Sequence, residues 1–126
     1  MKPNSEYKKI KLACRGIHHV FQTQCHFKCH IITSILVITI GIIFKISLIE
    51  WIMLTIAIFG VLITEMINTA FEILTNLVTS NYHPLAKDCK DVASGTVLLS
   101  ALLAVIIGSI IFYPKIQPIW STTFGK

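Results

Sequence analysis

The chain has 126 residues, of which 54% are hydrophobic and only 13% are charged. Soluble domains carry about a quarter charged residues, so this composition excludes an ordinary soluble protein. With a mean hydropathy of +0.74, it predicts an integral membrane protein. The formal net charge of +5 does not indicate nucleic-acid binding, because the basic residues lie beside the apolar runs. The length allows one small domain, covering residues 1–126.

Residues 8–25 are predicted to form an amphipathic helix on the membrane surface. Its two faces differ in chemistry: the inward face carries Ile10, Ala13, Cys14, Ile17, Val20 and Phe21, and the outward face carries Lys9, Lys11, Arg15, His18 and His19. Such a helix lies in the interface plane, with its basic residues toward anionic headgroups. Gln24 continues the inward face, so its amide is expected to reach whatever the helix covers.

The segment that follows contains thiols and imidazoles, which are common metal ligands. Cys25 and Cys29 are four residues apart, as are His26 and His30, so each pair could chelate a metal from a helix. However, the two pairs lie about 100° apart around the helix, and no strong zinc spacing is present. Free thiols and imidazoles at a membrane edge are the default interpretation, and a metal site here stays open.

Three further helices, at residues 27–44, 48–79 and 84–113, each contain an apolar run long enough to cross a membrane. The last is expected to end at Pro114, leaving a frayed tail from Lys115 onward. Three lone helices offer little interior in which to bury carboxylates, so the chain is expected to oligomerise. Basic residues concentrate before the first span and in the loop after the second, which predicts a multi-pass protein of the cytoplasmic (inner) membrane with a cytoplasmic N-terminus.

The second of these helices carries a polar stripe. At 100° per residue, one face about 120° wide or less collects Glu65, Asn68, Thr69, Glu72, Asn76 and Thr79. A buried seam that joins helices would explain part of it, but two carboxylates with two amides exceed what packing requires. Counting from Trp51 at the outer boundary, Glu65 lies about 21 Å down, within the membrane, and Glu72 about 31 Å down, at headgroup level.

A second polar stripe begins the last helix, with Lys87, Lys90, Asp91 and Ser94 at helical spacing. Oxygen ligands at the water line suit Mg²⁺, which takes one or two carboxylates plus waters and phosphates. Lys90 can neutralise a phosphate, and the partly desolvated Glu65 is a candidate general base for a hydroxyl from the bilayer. Phosphoryl transfer depends on positioning and charge neutralisation, so the few polar residues of these two stripes would be sufficient for this reaction.

These residues carry a family resemblance. Glu65-Met-Ile-Asn68-Thr-Ala-Phe-Glu72, followed by His83-Pro-Leu-Ala-Lys-Asp-Cys-Lys90-Asp91-Val-Ala-Ser94-Gly, resembles the prokaryotic diacylglycerol kinase family, which includes undecaprenol kinases. The resemblance covers nearly the whole chain, from Arg15-Gly16-Ile17 to Tyr113-Pro114. It implies an all-α integral membrane protein with an N-terminal surface helix and three transmembrane helices, assembled as a homotrimeric bundle with active sites shared between subunits.

The resemblance also implies roles for individual residues. Glu65 matches the catalytic base and Asn68 a polar residue of the active site, while Glu72 matches a carboxylate that binds the metal of Mg-ATP. The nucleotide contacts carried over are Asn81, Tyr82, His83, Lys90 and Asp91. The lipid contacts are Glu65, Ser94 and Arg15. The family often has glutamate, a second metal ligand, where this chain has Gln24, so Gln24 is kept as a metal or ATP contact that supplies no charge.

The expected activity is therefore a lipid kinase that uses ATP and Mg²⁺, in lipid or phospholipid recycling. Undecaprenol is favoured over diacylglycerol, because His83-Pro84-Leu85-Ala86-Lys87 is more similar to the undecaprenol kinase branch. Two alternatives stay open. A proton-coupled exporter would also carry an intramembrane glutamate, although it would have it near the midplane and would give Lys90 and Asp91 no role. A weakened kinase homologue is suggested by Gln24.

Overall fold

The computed structural model describes residues 4–124, and the side chains of residues 6–118. Within this part the chain forms four helices, α1 (Asn4–Thr23), α2 (Cys25–Ile43), α3 (Leu48–Val78) and α4 (Pro84–Phe124). Three segments are long and apolar enough to cross a membrane: Cys25–Ile43, Leu48–Val78 and Pro84–Pro118. The predicted class, a surface helix followed by three membrane helices, is thereby confirmed.

The junction between α1 and α2 is a single residue, Gln24. Its backbone is extended, with φ −104° and ψ 113°. Its N–H still donates to the Val20 carbonyl at 2.9 Å, and its own carbonyl accepts from Lys28 at 3.4 Å. Val20 and Phe27 are buried on either side of this break. The break therefore separates α1 from α2, while these two backbone hydrogen bonds still bridge it.

The turn between α2 and α3 is closed by local hydrogen bonds. Lys45 adopts a left-handed conformation, with φ 49°. Ser47 and Glu50 then form a capping box, in which the Ser47 N–H donates to Glu50 Oε2 at 2.6 Å and the Glu50 N–H donates to Ser47 Oγ at 3.3 Å. The absence of a side chain at Gly41 lets the Trp51 ring pack directly on α2, since a Cβ there would lie 3.0 Å from the ring.

The main helix pair is α3 with α4, which run antiparallel, and α2 packs against α3. The buried positions of α3 form one seam: Leu54, Ala57, Val61, Glu65, Thr69 and Thr75. Between α3 and α4, Thr64 Oγ1 and Ser100 Oγ share a hydrogen bond of 2.8 Å. Most large apolar side chains of α2 to α4 are exposed, as expected for helices that face lipid or another membrane helix.

The C-terminal end of α4 differs from the sequence expectation. The helix does not end at Pro114 but continues through Pro114 and Pro118 to Phe124. Pro114 removes one backbone donor, a loss that membrane helices tolerate when neighbouring structure supports them. Here Lys115 Nζ forms an ion pair with Glu50 Oε1 at 2.6 Å, and both side chains are 25% exposed. The first turn of α3 thus holds the segment that was expected to fray.

Candidate active site

A polar pocket lies where α3 ends and α4 begins. It has a volume of about 560 Å³ and is lined by Thr75, Asn76, Thr79, Ser80, Asn81, Tyr82, His83, Ala86, Lys87, Lys90 and Asp91. Of the seven residues expected to bind ATP or its metal, five (Asn81, Tyr82, His83, Lys90 and Asp91) are in this lining, and Glu72 and Gln24 are not. The fold therefore brings the end of one polar stripe and the start of the other into one cavity.

The connection between the helices is fixed by short-range hydrogen bonds. The Asn81 N–H donates to Thr79 Oγ1 at 3.2 Å, and the Thr79 hydroxyl donates to the Asn81 carbonyl at 3.1 Å. Pro84 occupies the first position of α4, where a missing N–H costs nothing. The Lys87 N–H donates to the His83 carbonyl at 3.1 Å, so the helical bonding begins at His83.

The charged groups of the pocket are paired in two different ways. Lys87 Nζ forms an ion pair with Asp91 Oδ2 at 2.7 Å, one turn apart on α4. Lys90 Nζ donates instead to the amide oxygen of Asn76 on α3, also at 2.7 Å. Lys90 is thus oriented by a neutral group, whereas the charge of Asp91 is matched by Lys87.

Glu72 lies one helical turn before Asn76 and contacts Gln24. Gln24 Nε2 donates to Glu72 Oε2 at 3.5 Å, a long hydrogen bond between residues 48 positions apart. The extended backbone of Gln24 at the α1–α2 break aims its side chain at α3. A rotation of the amide would present Oε1 instead, giving two oxygen donors, one charged and one neutral. That pair fits Mg²⁺, whose remaining ligands are usually waters and substrate phosphates.

Glu65 lies two turns further from the pocket, on the buried seam of α3. It is only 4% exposed, and its carboxylate accepts no hydrogen bond from the residues that the structure describes. The hydroxyl of Thr69 donates to the Glu65 backbone carbonyl at 2.9 Å, not to the carboxylate. Asn68, between Glu65 and Glu72 on the same face, is partly buried. The acceptor capacity of Glu65 is therefore available to a group from another molecule.

The structure does not bring the two remaining lipid-contact candidates into the polar pocket. Ser94 is exposed and donates to the Lys90 carbonyl at 2.9 Å. Arg15 is exposed on α1. The cysteine and histidine segment shows no convergence either, with Cys25, His26 and Cys29 exposed and His30 partly buried. Among the described residues no group of three or more His, Cys, Asp or Glu side chains could hold a metal.

An apolar groove opens between α2 and α4, with α3 as its floor. It has a volume of about 410 Å³ and is lined by His30, Thr33, Ser34, Val37, Leu54, Ala57, Ile58, Val61, Ala101, Ala104, Val105, Gly108 and Phe112. Val61 lies one turn before Glu65 on the same face of α3. The groove and the buried carboxylate therefore follow one another along a single helix face.

Comparison with known proteins agrees with this arrangement. The family described as prokaryotic diacylglycerol kinase matches residues 11–112, most of the chain. This chain belongs to the prokaryotic diacylglycerol kinase family. It is accordingly a lipid kinase, the class of enzyme predicted from the sequence.

Two relatives within this family share the same degree of identity with the chain. Undecaprenol kinase of Bacillus subtilis (strain 168) is 37% identical over 113 residues, which cover 90% of this chain and 92% of the relative. Diacylglycerol kinase of Synechocystis sp. is 37% identical over 108 residues, which cover 85% of this chain and 62% of the relative. Diacylglycerol kinase of Escherichia coli (strain K12) is 25% identical over 99 residues.

Sequence reasoning left two residues of this kinase out of the candidate site, Asn76 and Lys87. Both had been placed in the polar stripes, but neither was assigned a role. The available signal was their helical spacing from Glu72 and Asp91, which puts each one turn away from a named residue. The pairing across the loop, Asn76 with Lys90, could be found only from the structure. The apolar groove, whose lining includes the small residues Ala104 and Gly108, was not predicted from the sequence.

Proposed function

We propose that this protein is an ATP- and Mg²⁺-dependent kinase that phosphorylates a membrane lipid alcohol, undecaprenol in preference to diacylglycerol, at the cytoplasmic face of the cell membrane. The observation that carries the proposal is the order of groups along one face of α3. A buried carboxylate (Glu65) follows an apolar groove, and a partly exposed carboxylate in contact with Gln24 (Glu72) precedes a polar pocket.

The polar pocket is assigned to ATP. The ammonium group of Lys90 is a compact positive charge that would neutralise the phosphates. Asn81, Tyr82 and His83 offer hydrogen-bonding groups and an aromatic ring for the nucleoside, and Tyr82 is 82% exposed and thus accessible. Glu72 and Gln24 would hold Mg²⁺ between them and the phosphates. Bound there, the ion would neutralise charge that develops on the transferred group.

The groove is assigned to the hydrocarbon chain of the lipid, and Glu65 to its hydroxyl. As general base, Glu65 takes the hydroxyl proton while the oxygen attacks the γ-phosphorus. A new P–O bond to the lipid forms, the bond from the γ-phosphorus to the β-bridging oxygen breaks, and ADP leaves with that oxygen. Asn68 lies between the two carboxylates along α3 and is assigned to orient the transferred group.

Undecaprenol is favoured for two reasons. The matched relative named undecaprenol kinase is aligned over nearly its full length, whereas the aligned part of the Synechocystis diacylglycerol kinase is 62% of that protein. The groove is also one continuous apolar cavity of about 410 Å³, which suits a single long polyprenyl chain better than two acyl chains. Assembly as a homotrimer belongs to the same proposal, and the exposed apolar faces of α2 to α4 leave room for neighbouring copies.

The exporter alternative loses its support now that the chain belongs to a kinase family. The weakened-kinase alternative keeps one specific observation in its favour: Gln24 supplies no charge at the proposed metal site. Measuring turnover of the unmodified protein distinguishes a weakened kinase from an active one, because a robust rate in Mg²⁺ would exclude a weakened enzyme.

The test is phosphate transfer by the purified protein in lipid nanodiscs, with Mg-ATP and with undecaprenol and diacylglycerol offered in parallel. Glu65→Gln should lower kcat by about 100-fold or more, the usual contribution of a general base. Glu72→Gln should raise the Mg²⁺ concentration needed for half-maximal rate. Glu6→Gln is the matched control, since Glu6 is exposed on α1 and forms an ion pair with Lys9, away from the candidate site. Full activity in the Glu65 or Glu72 variant would refute the proposed function.

A further inference from the structure

The contact between Lys90 and Asn76 joins the two helices that frame the polar pocket. Lys90 Nζ lies 2.7 Å from Asn76 Oδ1, across a loop and 14 residues away in sequence. Both residues line the pocket. Asn76 also lies one turn after Glu72, on the polar face of α3. The amide is thus located between the proposed metal carboxylate and the lysine that would meet the phosphates.

The contact of Lys90 differs chemically from that of Lys87. Lys87 forms an ion pair with Asp91, but no carboxylate lies within ion-pair distance of Lys90 among the described side chains. A neutral amide oxygen can orient an ammonium group without cancelling its charge. Lysine side chains otherwise lose much rotamer freedom when they are fixed in one position. When the protein already holds the ammonium group in place, phosphate binding does not cost this loss of conformational entropy.

We propose that Asn76 is a positioning residue, which holds the ammonium group of Lys90 in the orientation that meets the phosphates of the nucleotide. This inference rests on the proposed function, because it assumes that a nucleotide occupies the polar pocket. Asn76 acts through Lys90 and takes no part in the chemical step. The fraction of protein with Lys90 in the competent orientation then sets the apparent affinity for the nucleotide, and the rate at saturation is unaffected.

The experiment measures kcat and KM for Mg-ATP, and the dissociation constant for Mg-ADP, in a set of matched variants. Asn76→Ala should raise KM and the Mg-ADP dissociation constant about tenfold, the scale of one hydrogen bond to a charged group, with kcat changed less than twofold. Asn76→Gln should keep KM within about threefold of the wild type, because it keeps a neutral amide oxygen that can accept the same hydrogen bond. Gln22→Ala removes an exposed amide of α1 and should change nothing.

The decisive comparison is a double-mutant cycle. Lys90→Ala alone should raise KM strongly, and adding Asn76→Ala to it should raise KM no further, because the residue through which Asn76 acts is gone. Additive effects, an unchanged KM in Asn76→Ala, or an equal loss in Asn76→Gln would each overturn the positioning role. If the wild type neither transfers phosphate nor binds Mg-ADP, the proposed function fails as well, so the two failures are distinguishable.

Discussion

The contact between Gln24 and Glu72 leads to a prediction about charge at the proposed metal site. In Gln24→Glu, a second carboxylate would face Glu72 at about the present distance of 3.5 Å. Two like charges at this distance repel by about 1 kcal/mol in water and by about 5 kcal/mol at an effective dielectric constant of 20. Both residues are partly exposed, so the cost without metal should be near the lower figure, about 1–2 kcal/mol.

A divalent cation reverses the sign of this effect, because it is attracted to both carboxylates. Each 1.4 kcal/mol is a factor of ten in affinity, so the variant should bind Mg²⁺ at least about tenfold more tightly. Binding to the folded state alone also raises stability, so the melting temperature should respond more strongly to Mg²⁺ in the variant than in the wild type.

The assay is a thermal melt in nanodiscs over a Mg²⁺ titration, together with the Mg²⁺ dependence of lipid phosphorylation. Gln22→Glu is the matched control: it adds the same charge to an exposed position of α1 two residues away, where the backbone carbonyl, not the side chain, accepts from Lys28 Nζ at 3.4 Å. If Gln24→Glu and Gln22→Glu reach half of their full response at the same Mg²⁺ concentration, Gln24 does not belong to the metal site.

Two further predictions concern the packing that holds the site. Gly41→Ala would place a Cβ 3.0 Å from the Trp51 ring and 3.1 Å from the Ile46 side chain, so thermal unfolding should show a loss of about 1–3 kcal/mol. Gly60→Ala, whose added Cβ has no described atom within 4 Å apart from its chain neighbours and its own helix backbone, is the control and should be neutral or slightly stabilising. Lys115→Gln should lower the melting temperature because it breaks the ion pair with Glu50, whereas Lys11→Gln on the exposed face of α1 should not. Equal melting temperatures for these two lysine variants would mean that the end of α4 is frayed, as the sequence alone suggested.

The parts of the fold that could be predicted are those set by local periodicity. The apolar runs identify the three membrane helices, and Pro84 marks the start of α4. The polar stripe of α3 also follows from spacing, and the structure buries its deepest member, Glu65, on the seam that faces α4. These features depend only on which residues share one helix face.

The parts that could not be predicted depend on contacts between residues far apart in the chain. A proline inside a helix predicts a kink or an end, whereas α4 continues past Pro114, where Lys115 pairs with Glu50, 65 residues away in the sequence. In the same way, spacing placed Lys90 in a polar stripe, but the partner that orients it comes from α3. The break at Gln24 was expected within a few residues, yet its contact with Glu72 requires the packing of α1 against α3.

The separation of the two carboxylates limits how the reaction can proceed. Glu65 and Glu72 are seven residues apart, about 10 Å along the axis of α3, whereas reacting atoms must approach to about 3–3.5 Å. If Glu65 takes the lipid hydroxyl and Glu72 holds the metal, as proposed, the hydroxyl and the metal-bound phosphates are held at different levels of α3. The transferred group has to occupy the interval between them, and Asn68 lies there, three residues from one carboxylate and four from the other. The membrane side of the site can thus stay closed to water at Glu65, which is 4% exposed, while the nucleotide side stays open at Glu72. In the proposed mechanism, the phosphoryl group alone moves from the nucleotide side of the site to the lipid side, and neither substrate has to cross.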